Sequence, residues 1–178
     1  NGWAVGLDNG FIRTMDGENW ESIAQGPLNS LMSVYFTSVE TGLACGIGGI
    51  ILRTVDSGNT WSEVPSGVSA SLYSLFFPDE QIGWSVGSGG IILSSEDGGA
   101  TWDAQISGLS STLNSVYFIN GQTGWSAGTE GAIIKTVNGG LQWDPLISGT
   151  SSTLKSIFFT DELNGWASGV GGLLLHTS

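Results

Sequence analysis

Hydrophobic residues in this chain fall in short runs separated by turns rich in Gly, Ser and Asp. The clearest succession lies between residues 71 and 107, where SLYSLFF, GWSVG, GIILSS and TWDAQIS follow one another. Short runs of β-branched and aromatic residues bounded by turn formers predict strands, here called a, b, c and d. Along strand a, Leu31, Leu72, Leu113 and Leu154, and then Val34, Leu75, Val116 and Ile157, alternate with small or polar neighbours, as a strand with one buried face requires. Doubled aromatics, Tyr35-Phe36, Phe76-Phe77, Tyr117-Phe118 and Phe158-Phe159, end each such strand. Between b and c stand Asp8-Asn9, Gly48-Gly49, Gly89-Gly90, Glu130-Gly131 and Gly171-Gly172, residue types that accept the positive φ of a two-residue hairpin turn. Gly26, Gly67, Gly108 and Gly149, with Ser-rich neighbours, mark the connections from d to the next a.

The pattern is periodic. Trp20, Trp61, Trp102 and Trp143 are each 41 residues apart, and Gly42, Gly83, Gly124 and Gly165 keep the same spacing. All eight tryptophans fall in two columns, the second being Trp3, Trp84, Trp125 and Trp166, with Leu43 in the gap. Four antiparallel strands recurring about every 40 to 45 residues are the signature of propeller blades around an axis. The predicted fold is therefore an all-β β-propeller segment over residues 1–178, with a partial blade at 1–27, blades at 28–68, 69–109 and 110–150, and a partial blade at 151–178. It is expected to belong to a larger ring, or to be completed by copies of itself through its open edges, since unpaired strand edges invite pairing.

Composition narrows the partners. Sixteen acidic residues against four basic ones give a net charge of −12, which repels nucleic-acid phosphates and anionic lipid. No apolar run approaches the roughly 20 residues of a membrane-spanning helix, so neither nucleic acid nor membrane insertion is expected. The single cysteine, Cys45, excludes an intramolecular disulfide and a Cys-based zinc site; it shares a strand column with Val5, Val86, Ala127 and Ser168 and reads as a small core residue. His176 is the only histidine, so no Ser/His/Asp or Cys/His arrangement can be built, and no metal or cofactor is expected.

The c–d turn carries the most specific motif. Thr54 to Trp61 and Ser95 to Trp102 both match S/T-x-D-x-G-x-T-W, the Asp-box. An Asp in a tight turn accepts hydrogen bonds from backbone N–H groups beyond it, Gly supplies positive φ, and Trp anchors the turn. Asp56, Gly58, Trp61, Asp97, Gly99 and Trp102 are thus structural residues. So are Asn138, Gly140 and Trp143 in a copy with Asn for Asp and Gln142 for Thr, and Asp16 and Trp20 in a copy one residue short.

With GWAVG, a strand ending in Arg-Thr, and the Asp-box, the chain resembles, over its whole length, the photosystem II stability/assembly factor-like propellers. That resemblance implies a ring of about seven blades and a non-enzymatic scaffold or protein–protein interaction module, in a family with many secreted bacterial members. A secreted or cell-surface location is expected on the same ground. The alternative is a fragment of an Asp-box glycosidase, sialidase-like or xyloglucanase-like. Arg13 and Arg53 occupy equivalent repeat positions and are no substrate-binding triad, while Asp79, Glu80, Asp161 and Glu162 in the a–b loops are the clustered acids available for acid–base chemistry. The candidate partner-binding residues are Arg13, Arg53, Lys135 and His176, which share one column at the end of strand c with Ser94. They could form an arc of positive charge for a carboxylate-bearing partner, or, as Arg13 with Glu21 and Lys135 with Asp144, simple cross-strand ion pairs.

Overall fold

The computed structural model describes residues 2–7, 10–23 and 30–177; the expected turn at Asp8-Asn9 and the connection at Gly26 lie outside them. The first sheet comprises β1 (Gly2–Val5), β2 (Phe11–Thr14) and β3 (Trp20–Ser22). The second comprises β4 (Leu31–Phe36), β5 (Gly42–Gly46), β6 (Ile51–Thr54) and β7 (Ser62–Val64). The third holds β8 (Leu72–Phe76), β9 (Gly83–Gly87), β10 (Ile92–Ser95) and β11 (Asp103–Gln105). The fourth holds β12 (Leu113–Phe118), β13 (Gly124–Gly128), β14 (Ile133–Thr136) and β15 (Asp144–Leu146). The fifth holds β16 (Leu154–Phe159), β17 (Gly165–Gly169) and β18 (Leu174–Thr177).

Every sheet is an antiparallel meander, and the strands β4, β8, β12 and β16 lie against one another from sheet to sheet, forming an inner wall from which the second to fifth meanders run outward. This is the all-β architecture of propeller blades.

The hairpin turns follow from their residues. Ile91 N–H donates to Ser88 O at 3.3 Å and Ala132 N–H to Thr129 O at 3.1 Å. Between them Gly89 and Gly90 have φ of +66° and +74°, and Glu130 and Gly131 +59° and +70°. Positive φ at both central residues is the type I′ turn, whose twist matches that of the strands it joins.

Strand a departs from simple alternation. Its buried residues in β8 are Leu72 and Leu75, three apart, and the register shifts between Leu72 and Ser74. The same shift recurs between Leu31 and Ser33, Leu113 and Ser115, and Leu154 and Ser156. A β-bulge supplies the extra residue and frees the serine to reach the next sheet. Leu75 N–H donates to Ser33 Oγ at 3.2 Å, Val116 N–H to Ser74 Oγ at 3.3 Å and Ile157 N–H to Ser115 Oγ at 3.2 Å.

The cores lie between adjacent sheets. Trp84 of β9 stacks on Phe118 of the next sheet with centroids 3.4 Å apart and planes at 9°, and Trp143 meets the same Phe118 edge-on at 5.8 Å. Trp125 stacks on Phe159 at 3.7 Å in the same way. The ring of Phe118 covers Gly124 so closely that a Cβ there would overlap it, which accounts for the glycine column of the GW strands. Cys45 is fully buried in the core between the second and third sheets, with Leu43, Phe77 and Trp102, and burial pushes its thiol up to about 12.

Candidate functional site

The Asp-box acids are consumed by their own turns. Asp56 Oδ1 accepts Thr60 N–H at 2.9 Å and Thr54 Oγ1–H at 2.8 Å, and Oδ2 accepts Thr60 Oγ1–H at 2.6 Å. Asp97 repeats this with Thr101 N–H at 2.9 Å, Ser95 Oγ–H at 2.9 Å and Thr101 Oγ1–H at 2.6 Å. These donors favour the ionised form: the Thr60 and Thr101 hydroxyls above all hold both carboxyls down at about 2. Asp16 is held further below the usual range, mainly by the side chain of Asn19. Asn138 occupies the same place as an amide and still accepts Gln142 N–H at 3.0 Å, so the turn needs an acceptor and not a charge.

The glycines of the box have φ of +77° at Gly58, +79° at Gly99 and +89° at Gly140, and each lies under a side chain of the preceding sheet: Trp3, Leu43 and Gln105. The box thus joins sheet to sheet as well as strand to strand. Trp102 and Trp143 are buried, at 9% and 6% exposure, and Trp61 is half-buried. Trp20 is not: at 48% exposure it has no preceding sheet against it among the described residues.

The cation column sits opposite the tryptophan column. Arg13 pairs with Trp3, Arg53 with Leu43, Lys135 with Trp125 and His176 with Trp166 across the b–c ladders. Arg13 Nε–H donates to Glu21 Oε1 at 2.6 Å and its Nη1–H to Asn59 Oδ1 of the next sheet at 3.4 Å. Arg53 Nε–H donates to Gly98 O, again in the next sheet's Asp-box, at 2.8 Å. Lys135 does not form the expected pair with Asp144. Its Nζ stands over the Trp125 ring at 5.1 Å, while Asp144 accepts the Gln142 amide at 2.7 Å. His176 lies against Trp166 with centroids 4.8 Å apart. Arg13–Glu21 is the one ion pair among the described residues.

The a–b loop aspartates also have a local use, whereas Glu80 and Glu162 are exposed and their carboxylates accept no hydrogen bond among the described residues. Asp79 Oδ1 accepts the N–H groups of Gln81 and Ile82 at 2.8 and 2.7 Å, and Asp161 Oδ1 those of Leu163 and Asn164, both at 2.8 Å. Backbone N–H donation lowers the Asp161 carboxyl from its ordinary value. At the same repeat position Asn120 accepts Gln122 and Thr123 N–H, and Ser38 accepts Glu40 and Thr41 N–H. A place filled by Ser, Asp, Asn and Asp in successive blades is a turn-closing acceptor. No group of three or more His, Cys, Asp or Glu among the described residues could hold a metal ion, and no helix is long and apolar enough to cross a membrane.

One column escaped the sequence reading. The second aromatic is buried in three doublets, as Phe77, Phe118 and Phe159, and half-buried Phe36 stacks on Trp3, whereas the first, Tyr35, Phe76, Tyr117 and Phe158, packs only against the edge of the core and lines a groove along the inner wall. The signal was present in the doublets: adjacent strand residues face opposite ways, so only one ring of each pair can be core.

The chain resembles known propellers throughout. A structure described as YCF48 bound to D1 peptide superposes with a TM-score of 0.72 at 21% identity, covering 89% of this chain and 53% of that one. YCF48 from Cyanidioschyzon merolae gives 0.68 at 22%, covering 84% and 53%. The Niastella koreensis GH74 enzyme gives 0.75 at 17%, covering 96% of this chain and 31% of that one. The chain thus spans about half the length of the YCF48 structures it matches. No curated protein matches it. The family model described as photosynthesis system II assembly factor YCF48 matches residues 59–147, half of the chain, and the chain belongs to that family.

Proposed function

We propose that the chain is a non-catalytic propeller module that binds a segment of another protein. The observation that carries this is the use of the acids: Asp16, Asp56, Asp97, Asp79 and Asp161 each close a turn, and amide or hydroxyl residues replace them in sister repeats, so none behaves as one half of an acid–base pair. A family member described as bound to a D1 peptide supports the choice of ligand class. The secreted or cell-surface setting is part of the proposal and is tested by fractionating cells that produce the protein. For the activity, immobilised chain is expected to capture a defined protein from native extract and to leave xyloglucan and sialyllactose intact. Turnover of either sugar, abolished by Asp79→Asn or Asp161→Asn, overturns the reading.

A second reading assigns the contact to the cation column, because Lys135 and His176 rest on aromatic rings and form no ion pair among the described residues. Arg13 and Arg53 are first of all ties between sheets. Replacing both with Gln separates the two roles: capture lost on an intact fold supports a binding column, and unchanged capture with a small loss of thermal stability removes it.

A further inference from the structure

The four rings left out of the core are in mutual contact. Tyr35, Phe76, Tyr117 and Phe158 occupy one position of β4, β8, β12 and β16, and successive ring centroids are 5.7, 4.7 and 4.9 Å apart. They make one apolar strip across four sheets, with Phe158 47% exposed at its end. Tyr35 is tied down by its hydroxyl, which donates to Phe77 O at 2.7 Å, while the Tyr117 hydroxyl makes no hydrogen bond among the described residues. Successive planes are inclined by 56°, 45° and 60°, so the strip offers tilted faces and slots in place of the separate flat platforms on which sugar rings stack.

The loops at one end of the strip carry one sign of charge, and the one cation on the inner strands is Lys155 of β16. The a–b loops begin one residue beyond these rings and contain Glu40, Glu80 and Glu162, all exposed and in no ion pair among the described residues, and no lysine or arginine. Aromatic faces attract cations through their quadrupole, and the contact of Lys135 with Trp125 shows this pairing inside the chain itself. Uncompensated glutamates around a low-dielectric wall add to the same attraction.

We propose that this strip seats an extended protein segment carrying lysine or arginine among apolar side chains. The proposal rests on the protein-binding reading above and adds where the segment lies and what charge it carries.

The test uses the intact chain and a short fluorescein-labelled synthetic peptide of Lys, Arg, Leu and Pro. Two controls accompany it: the same peptide with Glu for every Lys and Arg, and one with Ser for every Leu and Pro. Fluorescence anisotropy should show binding of the first peptide alone, weakened by salt. Tyr117→Ser with Phe158→Ser should weaken it by about tenfold, as loss of a central aromatic anchor does. Glu40→Gln, Glu80→Gln and Glu162→Gln together, which leave the wall intact, should weaken it by about threefold and remove most of the salt dependence. If the aromatic variant fails to fold, the glutamine variant decides alone. Equal binding of the glutamate peptide, binding indifferent to the glutamine variant, displacement by xyloglucan oligosaccharides, or no binding of the cationic peptide overturns the proposal. Capture from native extract is scored separately. Capture without peptide binding refutes this site and leaves the protein-binding reading standing, while peptide binding without capture refutes only the native partner.

Discussion

Replacing Trp102 with alanine tests whether the Asp-box acts as the joint between blades. The ring is 9% exposed, meets Phe77 edge-on at 5.9 Å, and its Nε1–H donates to Gly99 O at 3.2 Å. Burying a tryptophan removes on the order of 200 Å² from water, which at about 25 cal/mol per Å² is about 5 kcal/mol. Alanine retains a small part of this and leaves a cavity beside Leu43 and Leu93, so the expected cost is about 3–5 kcal/mol. Trp20 is the internal control: it has the same place in the motif but is 48% exposed. Trp20→Ala should cost about 2–3 kcal/mol, in proportion to the area it buries. Urea denaturation followed by both far-UV circular dichroism and fluorescence measures the two, provided the transitions coincide. A loss under about 1 kcal/mol at Trp102, or equal losses at Trp20 and Trp102, would refute the packing account.

Acid should act through the Asp-boxes. Asp56 and Asp97 have carboxyls lowered to about 2 from 3.8, so they contribute stability above the unfolded value that is lost as pH falls through the folded one. Melting temperature should hold steady down to about pH 4 and drop toward pH 2, with a shallower drop in Asp97→Asn; equal slopes in the variant and the parent would count against this origin. Gly124→Ala places a methyl into the Phe118 ring stacked on Trp84 and should cost about 1–3 kcal/mol or more. Gly108→Ala meets nothing within contact distance but must hold φ of +73°, so about 1–2 kcal/mol is expected from backbone strain alone, and a neutral result at either glycine in a denaturation assay contradicts its assignment. Cys45, buried and raised to about 12, should resist thiol reagents in the native state at pH 8 and react on unfolding; modification at the rate of a free thiol would mean the core opens.

Much of the fold was legible because the same information is written several times. A 41-residue spacing of Trp and Gly cannot arise from local propensity, and it announced repeated sheets before any strand was placed. Turn chemistry was equally local: Gly89-Gly90 and Asp97 do what their residue types dictate within four positions of themselves. What could not be read depended on the neighbouring sheet. The bulge after Leu72 appears in the sequence only as an ambiguous spacing of three, and its reason, the reach of Ser33 and Ser74 to the next inner strand, exists only once the sheets are stacked. The fate of the cations was decided in the same way, since Arg53 finds its partner Gly98 45 residues away and Lys135 prefers Trp125 to the carboxylate opposite. The sequence by itself determined the repeat, the strands and their turns, because each rests on short-range stereochemistry. Tertiary structure alone decided which ring of each aromatic doublet is core and which lines the inner wall, because that depends on how adjacent sheets face each other.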